Sequence, residues 1–423
     1  MTKKRILSTV IVLAILSVLV YLQVQHWRSF DWARFRQASQ VNLLHIAIAV
    51  GLVYLTYVMR AWRWKIFLEP VCRSRTSRLL SPTIVGFTGL ALLGRPGEFI
   101  RPYLIAKKEN VPVPSQLGVW TVERIFDIGA FTALMTIDVF FSTQLRTHPY
   151  IGKFQEAAIV LCILVGFMAL IAFLIQRRGH TFASRLRRVT SPISPSLAHH
   201  VDQKVRAFGE GLNTIAGAKA FMQLVAVSLA MWFVIALAYR EVAHSYPPEV
   251  PGVPAAPALD VETAQFAGVP ELAGQELTSG VIADVATGVG AKGYTVKQEG
   301  GEVWLLRKGK RLKKIGDRPH LSNLDVSRVF LLMGFSMIGS IVQLPAVGGG
   351  SQLAVISALQ VIYGIPPEVA VSCGILLWLI TFMSCVPVGL VFARREHLSL
   401  RKLSEQSVQE EEHATAVSSH PQA

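Results

Sequence analysis

Six apolar runs constrain this chain more than any other feature: Ile6 to Val24, Val41 to Val58, Leu117 to Phe141, Ala157 to Ile175, Phe221 to Tyr239 and Val369 to Ala393. Each reaches or nearly reaches the roughly 20 residues that a helix needs to cross about 30 Å of hydrocarbon. A water-soluble fold has no place for so many such segments. With 52% hydrophobic and 16% charged residues, the expected fold class is an all-α polytopic membrane protein, because helices satisfy their backbone polar groups internally. The first run is preceded by Lys3, Lys4 and Arg5. It is long for the apolar core of a secretory signal and lacks a small-residue cleavage site, so an uncleaved first helix is expected.

The formal charge of +15 does not point to nucleic acid. The Lys and Arg residues gather beside the ends of the apolar runs, where the positive-inside rule places them. Basic clusters at Lys3 to Arg5, Arg60 to Arg78, Arg177 to Arg188 and Arg394 to Lys402 define one side, read as the cytoplasm of a bacterial-type inner membrane. The loops Gln25 to Gln40 and Ser142 to Phe154 are poorer in basic residues. Both termini are therefore expected inside.

Two further apolar regions are broken. Leu79 to Ala106 is interrupted by Gly94-Arg95-Pro96-Gly97, and Val326 to Tyr363 by Leu344-Pro345 and Gly348-Gly349-Gly350. An even number of crossings leaves two arrangements: eight spanning helices with one hairpin at Leu79 to Ala106, or six with two re-entrant hairpins. The second arrangement has the form of an inverted repeat, the pattern in which paired Gly/Pro-interrupted segments mark a transporter's binding site. In the plainer reading the breaks are loops between ordinary helices, and Val326 to Leu344 alone is long enough to span.

The expected organisation is a first membrane part over 1–242, a small α+β extracytoplasmic insert over 243–323, a second membrane part over 324–396 and a disordered cytoplasmic tail over 397–423. In the insert, Glu271 to Ala286 has helical spacing. Tyr294 to Gln298, Val303 to Arg307 and Arg311 to Ile315 alternate as short strands, with turn signals between them. The tail, with Glu410-Glu411-Glu412, has the composition of a disordered segment.

Ionisable residues within apolar segments are costly and default to functional candidates. Arg95, Glu98 and Arg101 lie in the first broken region. Either arginine can offer a planar fork to a lipid phosphate, or Glu98 and Arg101, three apart, neutralise each other on one face. Glu123, Arg124 and Asp127 fall within little more than a turn of one helix. Arg124 can pair with Asp127, which leaves Glu123 to meet Arg95 or Arg101; the resulting cluster is either a structural clasp or a substrate or proton site. Arg60 and Arg63, with Trp62 and Trp64, follow the second run and read as an interfacial anchor or as headgroup recognition. Gln343 and Gln352 flank the second glycine cluster and either line the same cavity or accompany tight packing. Gly288 to Gly293 matches a dinucleotide fingerprint in the wrong context, since it follows a helix and precedes a strand. Cys72, Cys162, Cys373 and Cys385 lack metal-ligand spacing. No cofactor, metal site or catalytic constellation is expected.

Taken together, Arg60-Ala61-Trp62-Arg63-Trp64, Gly94-Arg95-Pro96-Gly97-Glu98 with Arg101-Pro102, Val122-Glu123-Arg124-Ile125-Phe126-Asp127, and the late Leu344-Pro345 with Gly348-Gly349-Gly350 resemble the transmembrane region of the lysylphosphatidylglycerol synthase, or flippase-like, family. The resemblance covers nearly the whole membrane body and excludes the insert. It implies a membrane part associated with moving a lipid between leaflets. The late motif departs from the family's usual Pro-Gly-Gly form by inserting Ala346-Val347. Fused members carry a soluble aminoacyl-transferase domain that is not evident in this sequence, so lysyl transfer is not expected. The expected function is a lipid flippase or a transporter of lipid-linked substrates, with a membrane phospholipid or lipid-linked molecule as partner. The alternatives are an integral-membrane enzyme, or a subunit of one, acting on a lipid-linked sugar or aminoacyl lipid, and a scaffold whose external element binds an envelope partner.

Overall fold

A computed structural model describes residues 32–142, 145, 151–168, 170, 217–247, 258–299, 302–316, 320–340 and 349–395. The first expected span, Ile6 to Val24, the basic segment Arg177 to Arg188, Gln343 and the tail over 397–423 lie outside the described residues. The described chain is mostly helical, with one small sheet. Among the described residues, five helices are long and apolar enough to cross a membrane: Leu43–Leu68, Thr76–Leu93, Ile151–Met168, Ala218–His244 and Pro367–Arg395.

In chain order the first elements are α1 (Trp32–Ala38), α2 (Leu43–Leu68), α3 (Thr76–Leu93), a 3₁₀ turn (Arg95–Phe99), α4 (Ile100–Glu109) and α5 (Val113–Phe141). They are followed by α6 (Ile151–Met168) and α7 (Ala218–His244). Helix α2 begins at Asn42, whose Oδ1 accepts from Leu44 N at 3.0 Å, as an N-cap should. It runs ten residues past the expected end at Val58. Arg60 and Arg63 are therefore inside the helix rather than in an interfacial flank after it. Its whole length packs antiparallel to α7. Asn42 N donates to Ser245 O at 2.7 Å, His45 Nδ1 lies 2.7 Å from Glu241 Oε2, and Arg63 Nη1 donates to Ser228 Oγ at 2.9 Å.

The first broken region is a helical hairpin. Gly94 caps α3 at φ 72°, a conformation that favours glycine, and the chain folds back on α3 through missing side chains. A Cβ on Gly97 would lie 2.2 Å from the Gly89 carbonyl, and one on Gly86 would lie 2.4 Å from Arg101 Cβ. At the base, Arg78 Nε pairs with Glu109 at 3.3 Å and Arg78 Nη2 donates to Lys108 O at 3.1 Å. Base to tip, Arg78 to Leu93, is about 23 Å at 1.5 Å per residue.

The insert comprises α8 (Val261–Ala267), α9 (Ser279–Gly290), β1 (Thr295–Glu299), β2 (Glu302–Arg307) and β3 (Lys310–Ile315). The strands form an antiparallel meander in the order β1-β2-β3, as their alternation predicts. The expected helix over Glu271 to Ala286 is displaced. Pro270–Leu272 is a 3₁₀ turn and Gly274 sits at φ 81°, so the helix starts only at Ser279, after the cap Thr278. Helix α8 was not foreseen. It is nucleated by Asp260, whose carboxylate accepts from Thr263 N at 2.8 Å. Gly288 lies within α9, which leads into β1, consistent with rejecting a dinucleotide fingerprint there.

The remaining elements are α10 (Val326–Gly339), α11 (Gly349–Val361), α12 (Pro367–Trp378), a π turn (Leu379–Met383) and α13 (Cys385–Arg395). Val326 to Leu344, long enough to span, is helical only as far as Gly339 within the described residues. Helix α10 stops at Gly339 because α11 folds against it there: a Cβ on Gly339 would lie 2.3 Å from Gly350 O. Ser336 Oγ and Ser351 Oγ also meet at 2.7 Å. With 14 and 13 residues, each arm is about 20 Å long. The last expected span forms one 29-residue apolar stretch, Pro367–Arg395, with a π turn four residues before Pro387. Proline has no N–H for the carbonyl four residues back and its ring crowds it. Nearby carbonyls find other donors: Tyr54 Oη donates to Ser384 O at 2.8 Å and Thr88 Oγ1 to Cys385 O at 3.1 Å.

Candidate functional site

Three elements bring six of the expected residues together. Arg60 and Arg63 come from α2, Arg101 from the first turn of α4, and Glu123, Arg124 and Asp127 from α5. On α5 the spacing of four puts Glu123 and Asp127 on one face, and both are buried. Buried among apolar neighbours, the two carboxylates require cations.

Arg63, fully buried, supplies the first. Its Nη1 donates to Asp127 Oδ1 at 2.6 Å and to Ser228 Oγ at 2.9 Å, while its Nη2 donates to Glu123 Oε1. Arg101, also buried, grips Glu123 with both terminal nitrogens: Nη1 to Oε1 at 3.1 Å and Nη2 to Oε2. This is the bidentate fork that distinguishes Arg from Lys. Its guanidinium lies 4.5 Å from the Trp64 ring centroid and 5.4 Å from that of Phe87. Trp64 is itself buried, with Nε1 donating to Gln116 Oε1 at 2.9 Å.

The other two arginines are held more loosely. Arg60 Nη1 is 3.7 Å from Asp127 Oδ2, and Arg124 Nη2 is 3.6 Å from the same oxygen and 3.9 Å from Glu123 Oε2. These separations exceed the roughly 2.7–2.9 Å of charge-assisted hydrogen bonds. The Arg124 side chain is 38% exposed, against 0% for Arg63 and 4% for Arg101. Arg124 sits 5.8 Å from the Trp120 ring centroid, and Trp120 packs against Phe99 of the 3₁₀ turn at 5.4 Å. Four guanidiniums face two carboxylates, an excess of two positive charges.

The cluster confirms some expected pairs and corrects others. Glu123 meets Arg101, and Arg124 approaches Asp127, as the spacing predicts. The alternative pairing of Glu98 with Arg101 does not form, because Arg101 is committed to Glu123. Arg95 is not part of the cluster; it lies at the hairpin tip, exposed, with Nη2 donating to Ser340 O at 3.1 Å. Arg63 and Trp64 are not an interfacial anchor. They are core residues, and only Trp62 of that motif is exposed, at 44%. Gln352 is half-buried on α11, and no hydrogen bond joins it to the cluster among the described residues. Sequence reasoning missed Ser228 and Gln116, polar residues in apolar helices with no motif around them. Phe87, a ring on the facing helix, was missed as well.

A second polar constellation ties the insert to the membrane body. Lys313 Nζ donates to Asp260 at 2.8 Å and Glu262 at 2.9 Å. Arg328 of α10 donates to Glu262 at 3.2 Å and receives Tyr363 Oη on its carbonyl at 2.9 Å. Burial lowers the Lys313 pKa, but the two carboxylates outweigh it and the net shift is upward. A cavity of about 130 Å³ lies here, away from the arginine cluster. Among the described residues no group of His, Cys, Asp and Glu could hold a metal ion.

The family description "Lysylphosphatidylglycerol synthase TM region" matches residues 6–268, a stretch that contains the whole arginine cluster. No curated protein and no solved structure matches the chain.

Proposed function

Since the chain belongs to the lysylphosphatidylglycerol synthase transmembrane-region family and is a multi-pass membrane protein with a lipid-related role, we propose that it moves a phosphate-bearing lipid, or a lipid-linked substrate, between the leaflets of a bacterial-type inner membrane. The observation that carries this reading is the arginine cluster, in which four guanidiniums face two carboxylates and the two loosely held ones, Arg60 and Arg124, make no hydrogen bond to either. A buried charge is costly unless paired, and a lipid phosphate supplies the kind of oxyanion that arginine forks bind.

The architecture supports a transport role over a catalytic one. In the second broken region α10 and α11 are each about 20 Å long and fall short of a 30 Å hydrocarbon layer, and in the first the 18-residue α3 is joined to a 10-residue α4 that is too short to cross. The tips of the two regions are joined, since Arg95 of the first donates to Ser340 at the end of α10. Two re-entrant hairpins entering from opposite sides and meeting inside the membrane account for this contact, and they fit the inverted repeat of six spans. By the positive-inside rule, both termini and the base of the first hairpin at Arg78 are cytoplasmic, and the insert is extracytoplasmic.

Purified protein reconstituted with labelled phosphatidylglycerol tests the proposal. The expected result is leaflet exchange of chemically unchanged lipid. Headgroup release or transfer without exchange would replace the transporter with an enzyme.

A further inference from the structure

The four arginines of the cluster divide into two pairs with different work. Arg63 and Arg101 spend their terminal nitrogens on Glu123, Asp127 and Ser228, so they have little left to offer an incoming anion. Arg60 and Arg124 make no hydrogen bond to the carboxylates. Both instead face one oxygen, Asp127 Oδ2, from 3.7 and 3.6 Å. Their nitrogens are therefore within about 7 Å of each other, a span that one tetrahedral phosphate can bridge with two oxygens at charge-assisted distances.

We propose that Arg60 and Arg124 are the phosphate-contacting pair, that Asp127 Oδ2 occupies their shared position when no lipid is bound, and that the lipid enters sideways past Trp120 and Phe99. This rests on the lipid-moving reading above and assigns its contact residues. The asymmetry of exposure sets the entry side, because Arg124 alone of the four reaches the surface substantially. It does so beside the Trp120 and Phe99 rings, which leave an apolar, aromatic border between the 3₁₀ turn and α5. A lipid whose phosphate sits at Arg124 would lay its hydrocarbon chain against those rings. A free phosphate ester would touch the arginines and not the rings.

Asp127 then acts as a positioning and release residue. Its Oδ1 stays with Arg63 while Oδ2 is held only by the two long contacts to Arg60 and Arg124, so an arriving phosphate displaces those two contacts and leaves the short Asp127–Arg63 pair in place. When the phosphate leaves, the carboxylate returns, so Arg60 and Arg124 are never left facing each other bare.

Binding by the detergent-purified full chain tests the assignment with three probes: phosphatidylglycerol, its deacylated headgroup glycerophosphoglycerol, and diacylglycerol. Loss of one charge-assisted contact is expected to weaken phosphatidylglycerol about tenfold or more in Arg124→Gln, with Arg124→Lys intermediate and the unfolding temperature of both unchanged. Arg60→Lys keeps the charge but loses the fork and is expected to weaken the same lipid. Asp127→Asn, which keeps an oxygen for Arg63 but removes the competing charge, should bind phosphatidylglycerol more tightly and release it more slowly. Trp120→Ala should weaken phosphatidylglycerol while leaving the headgroup unaffected.

Unchanged affinity in Arg124→Gln would overturn the assignment while leaving the lipid-moving reading intact. Equal losses of lipid and headgroup in Trp120→Ala would overturn the lateral route. Diacylglycerol bound as tightly as phosphatidylglycerol, or a folded wild type that binds neither phosphate probe, would remove phosphate recognition itself and with it the reading beneath.

Discussion

Glu123→Gln probes the cluster at its most connected point. Glu123 accepts from both Arg63 and Arg101 and is 1% exposed. An amide keeps the shape, but it replaces one acceptor oxygen with an NH₂ that faces guanidinium donors. The charge excess of the cluster rises from two to three. Removing one partner of a buried ion pair costs about 3–5 kcal/mol, because the other charge stays buried without compensation. Two arginines share the loss here. Arg101 retains its stacking on Trp64 at 4.5 Å, worth about 0.5–2 kcal/mol, and Arg63 retains Asp127. A net loss near 4 kcal/mol is expected, about a thousandfold in the folding equilibrium. Equilibrium unfolding of the full chain in mixed micelles reads it directly. A variant within about 1 kcal/mol of wild type, the range of an exposed salt bridge, would refute the buried cluster. The reciprocal exchange Arg101→Glu with Glu123→Arg is not expected to rescue, because the new arginine would face Arg63.

Other sites give independent expectations. Gly389→Ala places a Cβ 1.9 Å from Thr88 Oγ1 and should destabilise by about 1–3 kcal/mol, with Thr88→Ala in the same chain recovering part of it in the same unfolding assay. Trp64→Phe removes the bond to Gln116 Oε1 and leaves that buried amide unsatisfied, at about 1–3 kcal/mol. For the insert, the folded-state pKa of Lys313 is raised above its ordinary 10.5. Its ion pairs should therefore stabilise the docked insert in full below pH 10.5 and fade as pH climbs through the raised value. Amide exchange across β3, measured against pH, should show protection lost only in that alkaline window, and loss near neutrality would contradict the pairing.

Much of the fold was legible in the amino-acid pattern because apolar length and Gly/Pro punctuation are local signals. Every expected span that falls within the described residues is helical. The hairpin at Leu79 to Ala106 follows from Gly94 and Gly97, whose missing side chains let the arms close. The sequence misled where partners are distant. Arg60 to Lys65 reads as an interfacial anchor only if the helix ends at Val58. The helix continues because carboxylates on α5, sixty residues later, compensate its arginines. Likewise the glycine that stops α10 at Gly339 does so through contact with Gly350, which no spacing rule foresees. The cluster itself was half visible: charges within an apolar helix announce a site, but their pairing depends on which faces meet. Ser228 carried no signal at all. The helix start in the insert was misplaced because the periodicity from Glu271 continues through Gly274, whose positive φ of 81° interrupts a helix there.

A lipid phosphate held between Arg60 and Arg124 would be visible in place. A high-resolution structure in nanodiscs of phosphatidylglycerol tests this most directly. The expected result is phosphate density within hydrogen-bonding distance of both guanidiniums, an acyl chain running past Trp120 and Phe99, and Asp127 Oδ2 drawn away. Lipid density confined to the outer surface of the helices, with Asp127 unmoved and the cluster open to bulk water, would contradict it.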